Sequence, residues 1–338
     1  MIRNIFIRIL VCCIGLTWLT VGCGRREAPP ASSTAEQKTP LRQLIFQSDW
    51  FPQAEHGGFY QALAKGYYRE AGLDVEILPG GPGAGIKLKI AKGDADLGMM
   101  RSDDVALAVS QGLPLLIVGA TLQHDAEALL VHADSPVKTL ADLAGRTVIA
   151  PISMTFIPFI QKRYGIQFNL IPTTYGLAAF LANKDAIQTC FLTSEPFYAR
   201  QRGVAVRVLP VTDAGYDVYQ AIACRQKLAR EEPEVVRAFV AASIRGWRDY
   251  MENDPTPANR LILERNRDMT PEQIAYSRQA MHDHALVAGH ADRGEGIGRL
   301  SLTRIQGEID LLREFKVLET PLTAAQVATV EFLPPADR

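Results

Sequence analysis

Two similar α/β lobes are what this chain of 338 residues predicts, on three observations. Between Gln43 and Leu78, one apolar run (Leu44, Ile45, Phe46) and another (Val75, Ile77, Leu78) enclose a segment from His56 to Glu70. That segment carries Phe59, Leu63 and Tyr67 at helical spacing, so the order reads strand, loop, helix, strand. Residues 85–117 and 176–208 then repeat one another weakly: Gly85/Gly176, Ala91/Ala182, Asp94/Asp185, Ala95/Ala186, Ala108/Ala199 and Gly112/Gly203 coincide. The order of short helix, buried strand, polar pair, second helix, glycine and apolar strand coincides as well. Finally, two connections near 120–127 and 211–219 each lead into an apolar strand, which suits a chain that crosses from one lobe to the other and back.

The elements follow in order. Residues 1–22 read as a signal peptide: Arg3 and Arg8 form a basic start, and the apolar stretch Ile9–Gly22 is shorter than the roughly 20 residues a membrane span needs. The end of this segment, Leu19-Thr20-Val21-Gly22-Cys23, resembles the lipobox of bacterial lipoproteins, which makes Cys23 the expected lipidation site; a plain secretory signal or an uncleaved anchor is the alternative. The stretch after it is Pro, Ser, Thr and charge, so residues 23–41 are expected to be a lipidated Cys and a disordered tether. Residues 42–122 with 220–338 are expected to form lobe 1 with C-terminal helices, and 123–219 lobe 2.

Within lobe 1, the loop after the first strand carries Asp49, Trp50, Phe51, Pro52, Gln53, Glu55 and His56, beyond the carboxyl end of a strand where α/β sheets hold their ligands. The glycine-rich stretch 79–85 precedes a helix too short for a dinucleotide crossover, and reads as a tight cleft loop. At matched places in the repeat stand Ser102-Asp103-Asp104 and Thr193-Ser194-Glu195, each where a strand hands over to a helix. Pro196 supplies a first helical residue, which leaves the Glu195 carboxylate free in this reading. Ser153 and Thr155 form a third set of hydroxyls before an apolar helix. Residues 233–251 and the Thr270-Pro271-Glu272-Gln273 start read as packing helices, the second opened by a capping box.

Composition excludes several classes. Lys plus Arg number 36 and Asp plus Glu 37, a formal charge of −1 that loss of Arg3 and Arg8 makes more negative, and no basic run stands out, so nucleic acid is not expected as a partner. Cys190 and Cys224 are left as one possible disulfide or two unpaired thiols. His282 and His284 sit two apart on an expected helix and so point to different faces, which makes the group with His290 and Asp292 read as a solvated helix end rather than a metal site, and no metal or hydrolase motif occurs.

Taken together, the segment 44–81, KGDADLGM, KTLADLAGRTV, TSEPF and EEPEVVRAFVAASIRGWRDY resemble the solute-binding proteins of bacterial ABC importers that serve sulfonates, nitrate, taurine and thiamine-pyrimidine precursors. The pattern from Asp49 to Tyr60 is most similar to the thiamine-pyrimidine branch, although that branch has Asn where this chain has Gln53 and Glu55. The resemblance implies a two-lobed periplasmic-binding-protein fold (type II), with two mixed sheets flanked by helices and the ligand cleft between the lobes. It also implies an ABC permease as partner, a monomer, no cofactor and an exported, membrane-anchored location. Trp50, Tyr60, Ser102 and Glu195 fall where the family's cleft residues do. The expected ligand-binding set is Trp50, Phe51, Gln53, His56, Tyr60, Ser102, Asp103, Ser153, Thr155, Thr193, Glu195 and Tyr219, the aromatics stacking on a planar solute. A buried Glu195 carboxylate would repel an anion, which favours an N-heterocycle over the alternative, a sulfonate or nitrate. Pyrimidine synthases of the same resemblance need a Schiff-base lysine where this chain has Met100 and a histidine where it has Asp104, so an enzyme is not expected.

Overall fold

The computed structural model describes residues 40–335. The expected signal peptide, Cys23 and the tether up to residue 39 lie outside the described residues.

Ten strands form two sheets: β1 (Arg42–Gln47), β2 (Leu73–Leu78), β3 (Leu97–Arg101), β4 (Leu115–Leu122), β5 (Glu127–His132), β6 (Thr147–Ala150), β7 (Asn169–Pro172), β8 (Ile187–Phe191), β9 (Val206–Pro210) and β10 (Gln220–Arg225). The first sheet has the order β2-β1-β3-β10-β4 and the second β7-β6-β8-β5-β9. Each is the same plan, three parallel strands and one edge strand joined through an antiparallel strand that has just crossed from the other sheet. The sequence repeat is therefore a repeat of topology: β3 and β8 are equivalent, as are the helices Ser102–Ser110 and Glu195–Gln201 that follow them. The crossing strands β5 and β10 are apolar along nearly their whole length because both faces are covered.

The helical stretch after β1 is shorter and more broken than its spacing predicts. A 3-10 turn Ala54–His56 leads into the helix Gly57–Ala64, and Gly66 at φ 78° interrupts it before Tyr67–Glu70. Its two opening glycines are steric necessities. A Cβ on Gly57 would lie 2.2 Å from the Tyr250 ring and one on Gly58 2.1 Å from the Trp247 ring, so only glycine lets this helix sit on the long helix Pro233–Glu252. That long helix buries Val236, Phe239, Val240, Trp247 and Tyr250 along one stripe, each large side chain contributing about 1.5–3 kcal/mol of transfer free energy. The close approach buries the turn that carries Glu55 and His56.

Thr270 caps the helix Pro271–Asp283 by accepting from Gln273 N at 3.2 Å, but the expected reciprocal arm of the capping box is absent. The Gln273 amide instead reaches Thr193 O of the second lobe at 3.1 Å. Cys190 and Cys224 lie in different sheets as buried free thiols, which settles the open choice against a disulfide.

Candidate ligand-binding site

The carboxyl ends of β1, β3 and β8 point at one seam between the two sheets. On the first side, Ser48 Oγ donates to Trp50 O and accepts from Gly80 N, while Gly80 N also donates to Trp50 O at 2.9 Å. The glycine-rich loop is thus zipped to the Trp50 loop, and a Cβ at Gly80 would lie 2.4 Å from the Asp49 backbone. Trp50 is half-buried; Phe51 is exposed and meets the indole edge-on at 5.7 Å. Across the seam the ring of Tyr175 stands 5.2 Å from Trp50, tilted by 52°. Tyr175 is held at φ 60°, a left-handed conformation unusual for a tyrosine, and its loop is tied to β8 by Gln188 Nε2 donating to Gly176 O.

The same seam carries carboxyl groups. Glu55, only 3% exposed, accepts the Thr193 hydroxyl from the other lobe through Oε1, and its Oε2 has no partner among the described residues. Burial holds its pKa above the ordinary carboxyl range, with the Thr193 hydrogen bond opposing. His56 is fixed by Asp49 Oδ1 at 2.7 Å from Nε2, and its Nδ1 is buried without a partner. Glu195 is not free as the Pro196 argument implies: Oε2 turns back to accept from Phe191 N at 2.8 Å and closes the end of β8. Burial pushes its carboxyl up to about 7, so near neutrality it is about half protonated. Gln273 Nε2 and Ser277 Oγ both donate to Thr193 O, at 3.1 and 2.7 Å, so the helix read as mere packing positions this turn.

Farther along the seam, Arg101 makes a two-pronged pair with Asp125 of the first crossing segment, 2.9 Å on each arm, and reaches Asp103 at 3.3 Å. Asp103 in turn accepts from Thr155 and Tyr216, which ties the turn after β3 to the second lobe and to the return crossing segment. Glu127, opening β5, is buried, and that burial holds its carboxyl well above the ordinary range despite the Arg101 charge.

Trp50, His56, Asp103, Thr155, Thr193 and Glu195 are thus brought to the seam. Ser102 and Tyr219 are not. The Ser102 hydroxyl donates to Glu308 at 2.5 Å and accepts from Tyr219 N, and the Tyr219 ring lies under the Arg304 guanidinium at 4.0 Å with its hydroxyl accepting from Ser301 N. Both face the C-terminal helix Leu302–Glu314, which packs on the helix Ser102–Ser110 that follows β3. Tyr60 is buried within lobe 1, with Arg265 5.3 Å above its ring. Ser153 is exposed in the turn before the helix Phe156–Tyr164, whose cap position is Thr155; Gln53 precedes the 3-10 turn without capping it. Sequence reasoning passed over Tyr175, Asp125 and Glu127. An acid opening an otherwise apolar strand, as in Glu127-Ala-Leu-Leu-Val, was the available signal.

Residues 53–258 match the family described as NMT1/THI5 like. The chain is 26% identical over 332 residues to the riboflavin-binding protein RibY of Chloroflexus aurantiacus, covering 91% of this chain and 90% of that protein. It is 27% identical over 252 residues to the formylaminopyrimidine-binding protein of Halalkalibacterium halodurans, covering 71% and 76% respectively. The solved alkanesulfonate-binding protein SsuA of Xanthomonas axonopodis pv. citri, bound to MOPS, superposes with a TM-score of 0.63 at 15% identity, over 86% of this chain and 99% of that one. This likeness identifies the two-lobed type II periplasmic-binding fold. With more than half its length matched, the chain belongs to the NMT1/THI5-like family.

Proposed function

We propose that this protein is the exported solute-binding subunit of an ABC importer and that it closes on a planar N-heterocycle bearing N–H donors, of the aminopyrimidine or flavin class. The observation that carries this reading is the chemistry of the seam: Glu55, Glu195, Glu127, Asp125 and Asp103 follow one another along it within electrostatic reach, and Trp50 and Tyr175 stand 5.2 Å apart across it. The guanidinium among them, Arg101, places three of its five N–H donors on Asp125 and Asp103, which neutralise it. A sulfonate would meet mostly acceptors and a cation already paired with two carboxylates, whereas an aromatic ring with amino or imino hydrogens would be stacked and hydrogen-bonded. The names of RibY and the formylaminopyrimidine-binding protein support the same class. Met100 stands buried in β3 where a synthase would need its lysine, which supports binding rather than catalysis.

Residues 42–122 with 220–338, and 123–219, would be the two closing units, hinged at the crossing segments. Lipid on Cys23 would tether the receptor as a monomer beside its permease; no helix among the described residues is long and apolar enough to cross a membrane.

Calorimetric titration with riboflavin, formylaminopyrimidine and MOPS tests the reading, alongside mass spectrometry of whatever copurifies. Tight binding of a heterocycle and none of MOPS is expected. The reverse order overturns it.

A further inference from the structure

Glu55 is an acid of the seam with one oxygen bonded and the other bare. It sits in the middle of the turn Ala54–His56, and the turn cannot swing out to water: Gly57 and Gly58 press against Tyr250 and Trp247, Asn266 Nδ2 donates to Pro52 O at 2.8 Å, and His56 is pinned by Asp49. One oxygen takes the Thr193 hydroxyl, yet the other is buried with no partner among the described residues. Buried polar atoms without partners are few in native proteins, because each forfeits the hydrogen bonds that water would supply.

We propose that Glu55 reads the hydrogen-bonding edge of the ligand: Oε1 holds Thr193 of the closing lobe while Oε2 accepts an N–H of the bound heterocycle. The assignment rests on the heterocycle reading above and adds the residue that makes an N–H on that edge obligatory. An anion offers only acceptors and would leave Oε2 unpaired or opposed. The same side chain thereby couples ligand contact to lobe closure, since Thr193 belongs to the second sheet's strand-to-helix turn.

Glu55→Met, Glu55→Gln and Thr193→Val, each checked by thermal melt, are titrated with riboflavin and with formylaminopyrimidine beside the wild type. Glu55→Met is expected to weaken binding about tenfold or more, the loss of one hydrogen bond at a buried partner. Glu55→Gln should recover part of it, because the Thr193 hydroxyl can turn to accept from the amide while the carbonyl faces the ligand. Thr193→Val should lose less than Glu55→Met. If the wild type binds neither heterocycle, the reading of the seam falls and this assignment with it. If the wild type binds but Glu55→Met is within about twofold of it, or Gln is no better than Met, or Thr193→Val loses as much as Glu55→Met, the assignment alone is overturned.

Discussion

Trp50 and Tyr175 come from opposite lobes and stand 5.2 Å apart with their rings tilted by 52°, so the two walls of the seam touch through aromatic side chains. Each ring is backed by a short backbone zipper, Ser48 with Gly80 on one side and Gln188 with Gly176 on the other. Trp50→Ala and Tyr175→Ala should each weaken heterocycle binding by roughly 1–3 kcal/mol, as base-aromatic stacking does. Calorimetric titration with riboflavin measures it, since Trp50→Ala itself removes the site's indole, and two variants that titrate like the wild type would remove the rings from the site.

The acid Glu195 makes stability depend on pH with a definite sign. Burial raises its folded pKa to about 7, so from about its ordinary 4.5 up to 7 the folded chain binds more protons than the unfolded one. Stability therefore falls as pH rises through that window, by up to roughly 2–3 kcal/mol from this group. Glu308, pushed up to about 8 by burial beside Ser102, adds a fall of the same sign. Thermal melts between pH 5 and 8 should show a shallower decline for Glu195→Gln than for the wild type; equal slopes would place the carboxyl in water.

Packing of the Glu55 turn is tested at Gly58. A methyl there meets the Trp247 ring at 2.1 Å, so Gly58→Ala should cost about 1–3 kcal/mol as overpacking does. Urea unfolding reads the loss. An unchanged midpoint would mean that the two helices lie farther apart than described.

At the hinge, Asp125→Asn removes half of a buried, two-pronged pair and leaves Arg101 short of a counter-charge. About 3–5 kcal/mol of destabilisation is expected. A variant as stable as the wild type in chemical denaturation would show the guanidinium to be hydrated.

For the tether, Cys23→Ser should abolish incorporation of a palmitate analogue and release the protein from membranes, or leave its precursor uncleaved. Unlabelled, soluble wild-type protein would refute lipidation and leave the plain secretory signal.

What the sequence by itself determined is what short-range physics writes into it: strands by apolar runs, helices by their spacing and caps, and two lobes by a repeat whose members build the same strand order. The placement of Thr193 and Glu195 at a strand-to-helix turn follows from the same local pattern. Only the tertiary structure decided which way the side chains at such turns face. Ser102 and Glu195 stand in equivalent turns, yet Ser102 is drawn to Glu308 of a helix that only lobe 1 has, while Glu195 folds back on its own strand. Tyr175 joins Trp50, and Glu55 loses its water to Thr193, through contacts between segments that two crossing strands bring together. Periodicity reports whether a residue is buried, but a hydrogen bond needs a partner at about 3 Å, and partners that far apart in the chain are chosen only when the lobes close on each other.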